Sequence, residues 1–304
     1  MFPLRGIALK LSSVFLFTIM AALVKANADA VPPGQAVFFR SLFALPIIVV
    51  WLAMRGDLRT GLKVQRPMGH VWRGVIGVGA MGFGFAALGL LPLPEVTALG
   101  YASPMLTVLF AAALLGERLR LFRLSAVALG LVGVAVVMWP RLTLDQLQGA
   151  ATLGVICVLA SAALRALVQI HIRRLVATEE TSAIVFYFSL TATLLSLLSL
   201  PFGWTMPSAE VALMLVGTGL IGGVAQILLT SAYRTTEAAV LAPFDYASIL
   251  FAILFGMAFF DEVPGSNVIV GSVIVMAAGV IIVWRERALG LQRGKARPNM
   301  TPHA

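Results

Sequence analysis

Tyr101-Ala102-Ser103 returns as Tyr246-Ala247-Ser248, 145 residues further along the chain. At the same ungapped offset Ala87 faces Ala232, Leu109 faces Leu254, Phe110 faces Phe255, Ala113 faces Ala258, Glu117 faces Glu262 and Trp139 faces Trp284. Only nine of the 53 positions from 87 to 139 are identical, but seven of those nine fall between Tyr101 and Glu117, so the match is concentrated in one segment. A fainter echo at offset 144 sets Ala22-Leu23-Val24-Lys25 against Ala166-Leu167-Val168-Gln169. The two halves therefore descend from one unit.

The solvent of that unit follows from composition. Of 304 residues, 60% are hydrophobic and 12% charged, and the mean hydropathy is +0.98, far outside soluble usage. A spanning helix needs about 20 apolar residues. Ten runs qualify: 7 to 26, 35 to 54, 71 to 91, 96 to 115, 122 to 139, 150 to 170, 183 to 200, 211 to 230, 238 to 259 and 266 to 284. They lack the alternating polarity of barrel strands. Prolines 46, 104 and 243 fall inside spans, where neighbouring helices must satisfy the freed carbonyls. The expected fold is an all-α polytopic membrane protein of ten transmembrane helices.

Charge sets the orientation. With the N-terminus inside, 18 of the 22 Lys and Arg fall on the cytoplasmic side, which predicts N-in and C-in. The net charge of +9 is thereby assigned to anionic lipid headgroups rather than nucleic acid. The five Trp lie near the span boundaries and read as an aromatic belt. Cys157, a lone cysteine, excludes an internal disulfide. Arg5, an apolar run and Ala28-Asp29-Ala30 imitate a cleavable signal, but the run is long for one and the echo at Ala22 to Lys25 makes this span part of the fold.

Five spans per unit is an odd number, so the second copy must enter the membrane from the opposite side. The expected domains are a first repeat at 1–141, an inverted second repeat at 142–287 and a disordered basic tail at 288–304. Inverted repeats recur in secondary transporters, with the site near the midplane. The rival readings are a channel with the same cavity but no alternation, and a duplicated scaffold that carries nothing.

Polar residues inside spans fall on helical stripes and are expected to face a cavity or a neighbouring helix. Cys157, Ser161, Arg165 and Gln169 follow at i+4 in the sixth span. Gln226 lies on a stripe of the eighth, Asp245 and Ser248 on one of the ninth, and Gly100, Ser103 and Thr107 answer them in the fourth. The fifth and tenth spans are almost wholly aliphatic, so eight helices are expected around a polar cavity, with these two bracing it or forming a homodimer. The candidate substrate contacts are Tyr101, Ser103, Ser161, Arg165, Gln169, Gln226, Asp245 and Tyr246. Arg165 and Asp245 sit at similar depth and read equally as binding groups or as an ion pair with each other. Lys25 and Arg40 would lead an anionic group in from the outer face, or Arg40 would latch to Glu95 and loop carbonyls. Glu117 and Glu262 are read as caps on the amides opening the fifth and tenth helices.

Gly77-Val78-Gly79-Ala80-Met81-Gly82 matches a dinucleotide fingerprint, but it lies inside an apolar span with no strand before it, where glycines mean close helix packing. No nucleotide-binding lysine loop occurs, and His70, His171 and His303 are too scattered for a metal cluster. Neither cofactor nor metal is expected. Asp245 is the only acid well inside a span, so there is no paired-carboxylate chemistry and no enzyme is read here.

The ten-span duplicated pattern, each half closing on an apolar run into Gly116-Glu117 or Asp261-Glu262, resembles the EamA-domain transporters of the drug/metabolite transporter superfamily. Phe38-Phe39-Arg40-Ser41-Leu42-Phe43 resembles that family's second-helix signature, and Ala242-Pro243-Phe244-Asp245-Tyr246 its ninth-helix one. The resemblance spans about 1 to 287. It implies metabolite export across a bacterial inner membrane, with amino acids, aromatic ones included, and organic cations among the substrates of similar proteins. The aromatic amino acid exporters are the branch it singles out. Ser103-Pro104 departs from the Glu-Pro common in the family, so no acid carries over to that point.

Overall fold

The computed structural model describes residues 3–58, 60–115, 121–141, 149–175, 178–236 and 238–295, and among these there is no strand. Thirteen α-helices follow in order: α1 Pro3–Ala26, α2 Pro33–Leu42, α3 Ala44–Met54, α4 Pro67–Leu90, α5 Leu93–Gly100, α6 Ala102–Leu115, α7 Leu121–Met138, α8 Ala150–Leu175, α9 Thr181–Ser196, α10 Ala209–Thr235, α11 Ala238–Leu241, α12 Ala247–Phe260 and α13 Ser266–Lys295. Eight helical stretches are long and apolar enough to cross a bilayer, and Leu124–Met138 and Ser266–Ile281 are shorter apolar helices. The protein is a polytopic helical membrane protein.

Three of the expected spans are interrupted, each just before a proline. A proline at position i removes the bond to the carbonyl of i−4 and its ring crowds that carbonyl. Pro46 frees Leu42, where α2 ends; Pro104 frees Gly100, where α5 ends. Pro243 sits in a 3-10 turn, Ala242–Tyr246, between α11 and α12. The last helix runs past its apolar run: α13 continues to Lys295, and 296–304, the rest of the basic tail expected from Ala288, lie outside the described residues. An unbroken helical register carries the chain past the apolar run.

The helices pair reciprocally between the halves. α1 lies along α10 and α4 along α8; α6 meets α8 and α12 meets α1; α4 meets α9 and α10 meets α2. Exchanging each first-half span for its second-half counterpart converts one member of every pair into the other. The pairs α7 with α13, α5 with α12 and α2 with α9 map onto themselves.

The helices α7 and α13 meet backbone to backbone. A Cβ on Gly271 would lie 2.7 Å from the Gly133 carbonyl oxygen, and one on Gly133 would lie 2.9 Å from the Gly271 carbonyl oxygen. Such contact is how apolar helices gain packing energy where lipid removes the hydrophobic drive. A side chain here must push two backbones apart, at a cost of about 1–3 kcal/mol. Gly271→Ala is therefore expected to lower the melting temperature of the detergent-purified protein. Gly82→Ala, where a Cβ meets nothing within 4 Å, serves as the control and should leave it unchanged or raised. Equal melting for the Gly271 variant and wild type would contradict the close approach.

Candidate functional site

The two copies of the repeated tripeptide meet. Tyr101 and Tyr246 stack with ring centroids 4.8 Å apart and planes 30° from parallel, and the Tyr101 hydroxyl lies 2.8 Å from Ser248 Oγ. The same hydroxyl donates to the Asp245 carbonyl oxygen. Tyr101 is the turn residue between α5 and α6, and Tyr246 is the residue before α12, so the interruptions of the two halves face each other. Arg165 Nη2, from α8, reaches the Gly100 carbonyl that Pro104 leaves without its helical partner, at 3.4 Å. Broken helices at membrane depth are tolerated where such groups re-satisfy the backbone.

Asp245 does not pair with Arg165. Its partner is Lys10 of α1, with Nζ 2.6 Å from Asp245 Oδ1; Lys10 also donates to the Tyr233 hydroxyl at 3.1 Å. The lysine is buried, while the Asp245 side chain is 41% exposed. Lys10 is among the 18 cations counted on the cytoplasmic side, and it lies one helical turn from Ser13 on the first span. Arg165 and Gln169 are exposed along one face of α8. Gln226 is half-buried, Ser103 buried. Ser161 is buried too, its hydroxyl donating to the Ala80 carbonyl oxygen at 2.6 Å. Tyr246 presses its hydroxyl against Gly279 of α13, where no Cβ would fit. Tyr101, Arg165 and Asp245 thus converge on the helix breaks, whereas Ser161 and the Tyr246 hydroxyl are engaged in packing.

At the end where α1 finishes, Lys25 is held by Glu262 at 2.8 Å and donates to the carbonyls of Leu88 and Leu91. Glu262 caps the amide of Leu93, the first residue of α5, at 2.8 Å. The acid was expected to cap the tenth helix; α12 instead ends at Asp261 in the left-handed conformation, φ 53°, which turns Glu262 back toward α5. Glu117, its counterpart, lies outside the described residues. A cavity of about 260 Å³ opens at this same end between α1, α2 and α4, with Asp29 its charged lining residue. Neither Lys25 nor Arg40 lines it.

At the end where α1 begins, Glu179 between α8 and α9 accepts the Gln65 amide at 2.9 Å and the Arg66 amide, and approaches His70 Nε2 at 3.4 Å. Its side chain is fully buried. Burial pushes this carboxyl up, but the Arg66 and Gln65 amides and His70 outweigh it and hold it below its ordinary 4.5.

Arg40 is buried, 6% exposed, and no ion pair joins it to Glu95 or any other acid among the described residues. Arg73 of α4, one of the 18 cations counted on the cytoplasmic side, holds its guanidinium 4.0 Å from the Phe188 ring centroid; that of Arg40 lies 5.9 Å from the same centroid. Gly77, first glycine of the rejected fingerprint, makes room there for Arg73 and Phe188, as helix packing requires. No group of three metal-ligating residues occurs among the described residues.

Helix interruptions that meet between the two halves of a bundle, beside a few polar groups, are the arrangement in which membrane transporters build their sites. The chain belongs to the EamA-like transporter family, whose model matches residues 4–139 and again 152–284. It is 30% identical over 284 residues to the pseudopaline exporter CntI of Pseudomonas aeruginosa UCBPP-PA14, covering 91% of this chain and 95% of that protein. It is 25% identical over 285 residues to an S-adenosylmethionine uptake transporter of Rickettsia prowazekii, covering 93% and 94%. A riboflavin transporter of Rhizobium johnstonii is 28% identical over 265 residues, covering 84% and 83%. A crystal structure 22% identical in sequence superimposes with a TM-score of 0.68, covering 93% of this chain and 97% of that one.

Glu179 yields a pH prediction. A carboxyl depressed in the fold adds stability that is complete above its ordinary value and fades as pH falls through the folded one. Wild type is expected to melt above Glu179→Gln at neutral pH, with the gap closing below about 4.5. Melting curves of the two proteins that stay parallel from pH 7 to pH 3 would remove the carboxylate from this role.

Proposed function

We propose that the protein is a secondary active transporter that exports small metabolites, foremost amino acids including aromatic ones, across a bacterial inner membrane by alternating access. The observation that carries this reading is the meeting of the two interrupted helices at Tyr101 and Tyr246. In transporters built from inverted repeats, such breaks form the substrate and coupling-ion site. The ten helices then run N-in and C-in as two inverted units, and α7 with α13 braces the bundle. Tyr101 offers a ring face, Arg165 a cation for a carboxylate, and Gln169 and Gln226 amide groups for the polar remainder.

The state of the two ends supports alternation. Lys25, Glu262 and the Leu93 amide tie α1, α4, α5 and the loop after α12 together at the outer end. Arg165, Gln169 and the carboxylate of Asp245 are open on the other side of the helix breaks. Gln169 is the repeat counterpart of Lys25, so a tie formed on one side corresponds to an open residue on the other. Protonation of Asp245 would release Lys10 and uncouple α1 from the start of α12, giving proton drive a place to act. The exposed Asp245 carboxylate beside Tyr101 also supports a second reading, carriage of organic cations. The family includes proteins named for uptake and for export, so direction rests on this proposal rather than on kinship.

Counterflow in proteoliposomes tests it. Vesicles loaded with one unlabelled compound from a panel of amino acids and organic cations are expected to accumulate the labelled compound, with amino acids the active class. Asp245→Asn should keep this exchange and lose uptake driven by a pH gradient. Exchange absent with every compound, from folded and inserted protein, would sink the carrier reading; pH-driven transport intact in Asp245→Asn would sink the proton role.

A further inference from the structure

Arg40 and Arg73 differ from the other intramembrane cations in having buried nitrogens that meet no acceptor; Arg165, which also lacks a carboxylate among the described residues, reaches the Gly100 carbonyl. Lys10 and Lys25 each hold a carboxylate. Arg40, on α2, and Arg73, on α4, hold none among the described residues, and no hydrogen-bond acceptor reaches the buried Nε of Arg40 or the buried Nε and Nη1 of Arg73. Their guanidinium carbons are both within 6 Å of the centroid of Phe188, on α9, and so lie within about 10 Å of each other. Two like charges at that separation in a medium poor in water repel and also forfeit their hydration. An aromatic face compensates only part of this. The surroundings are shaped to admit the guanidinium groups: Gly77 leaves space for Arg73 and Phe188, and Gly222 of α10 lies where a Cβ would be 3.4 Å from Arg40 Nε.

We infer that Arg40, Arg73 and Phe188 form a second binding site for the carboxylate of the transported metabolite, additional to Arg165 and separate from the Tyr101 and Asp245 cluster. Guanidinium forks are matched in shape to a carboxylate, which would supply both the missing charge and the missing acceptors. Phe188, approached by both guanidinium groups, brings the two cations to one place. The site deepens the transport reading and rests on it for the identity of the ligand's carrier, but the binding itself can be measured without transport.

The test uses the full chain in detergent and three probes of one shape: 3-phenylpropionate, its amide 3-phenylpropionamide, and the amine 3-phenylpropylamine. The carboxylate is expected to raise the melting temperature of wild type, while the amide and the amine do not. Arg40→Gln and Arg73→Gln should each raise the half-saturating carboxylate concentration by about tenfold or more. Without ligand both variants should melt at or above wild type, because each removes an unpaired buried cation. A purely structural role would instead lower ligand-free melting, and Arg40→Met is included so that a bad polar substitution is not mistaken for one. The assignment is overturned by a carboxylate shift that survives both Gln variants, by no discrimination between the carboxylate and its amide, or by chloride or phosphate reproducing the shift, which would make the site one for a free inorganic ion. Counterflow lost while the carboxylate shift persists removes the transport reading and leaves the site; a missing shift with counterflow intact removes the site alone.

Discussion

A backbone carbonyl freed inside a bilayer has no water to turn to, and the centre of this protein is built around that constraint. Pro104 strips the Gly100 carbonyl of its helical partner, and the 3-10 turn at Pro243 replaces regular helix before Tyr246. The replacement donors come from across the bundle: Arg165 to Gly100, Tyr101 to Asp245. Each break is therefore stable only while the opposite half is in place. In the transport reading proposed above, the side chains that satisfy the breaks are also the ones a substrate would compete for.

Ion pairs distribute the remaining intramembrane charge unevenly. Lys10 with Asp245 and Lys25 with Glu262 both join the first helix to the ninth span or the loop that follows it, at opposite ends of α1. Breaking either leaves a buried charge, which is costly, so the pairs act as discrete ties rather than graded ones. Against this, Arg40 and Arg73 share an aromatic ring and, among the described residues, no acid. The bundle ties Lys10 and Lys25 to carboxylates but leaves Arg40 and Arg73 without one among the described residues, with buried guanidinium nitrogens that meet no acceptor.

Much of the architecture was legible in the chain. The offset of 145 exposed the duplication and hydropathy located ten apolar runs. Hydropathy places the prolines at 46, 104 and 243 inside continuous spans, although a missing amide breaks a helix through local geometry alone. Helical periodicity also put Arg165 and Gln169 on one face of α8. What periodicity does not carry is which face meets which. Asp245 was matched with Arg165 by depth, yet its partner Lys10 is 235 positions away and reaches it only because α1 packs beside α12. Glu262 was assigned to the helix that follows it; a left-handed Asp261 sends it to α5 instead.

The sequence by itself determined the solvent, the duplication and the family, since each depends on composition or on patterns read along the chain. Only the tertiary structure decided that Tyr101 stacks on Tyr246, that Ser161 is engaged by a backbone carbonyl, and that Arg73 joins Arg40 over Phe188. Those are contacts between helices far apart in the chain, and their partners are chosen by how small residues such as Gly77, Gly222 and Gly279 let particular faces approach.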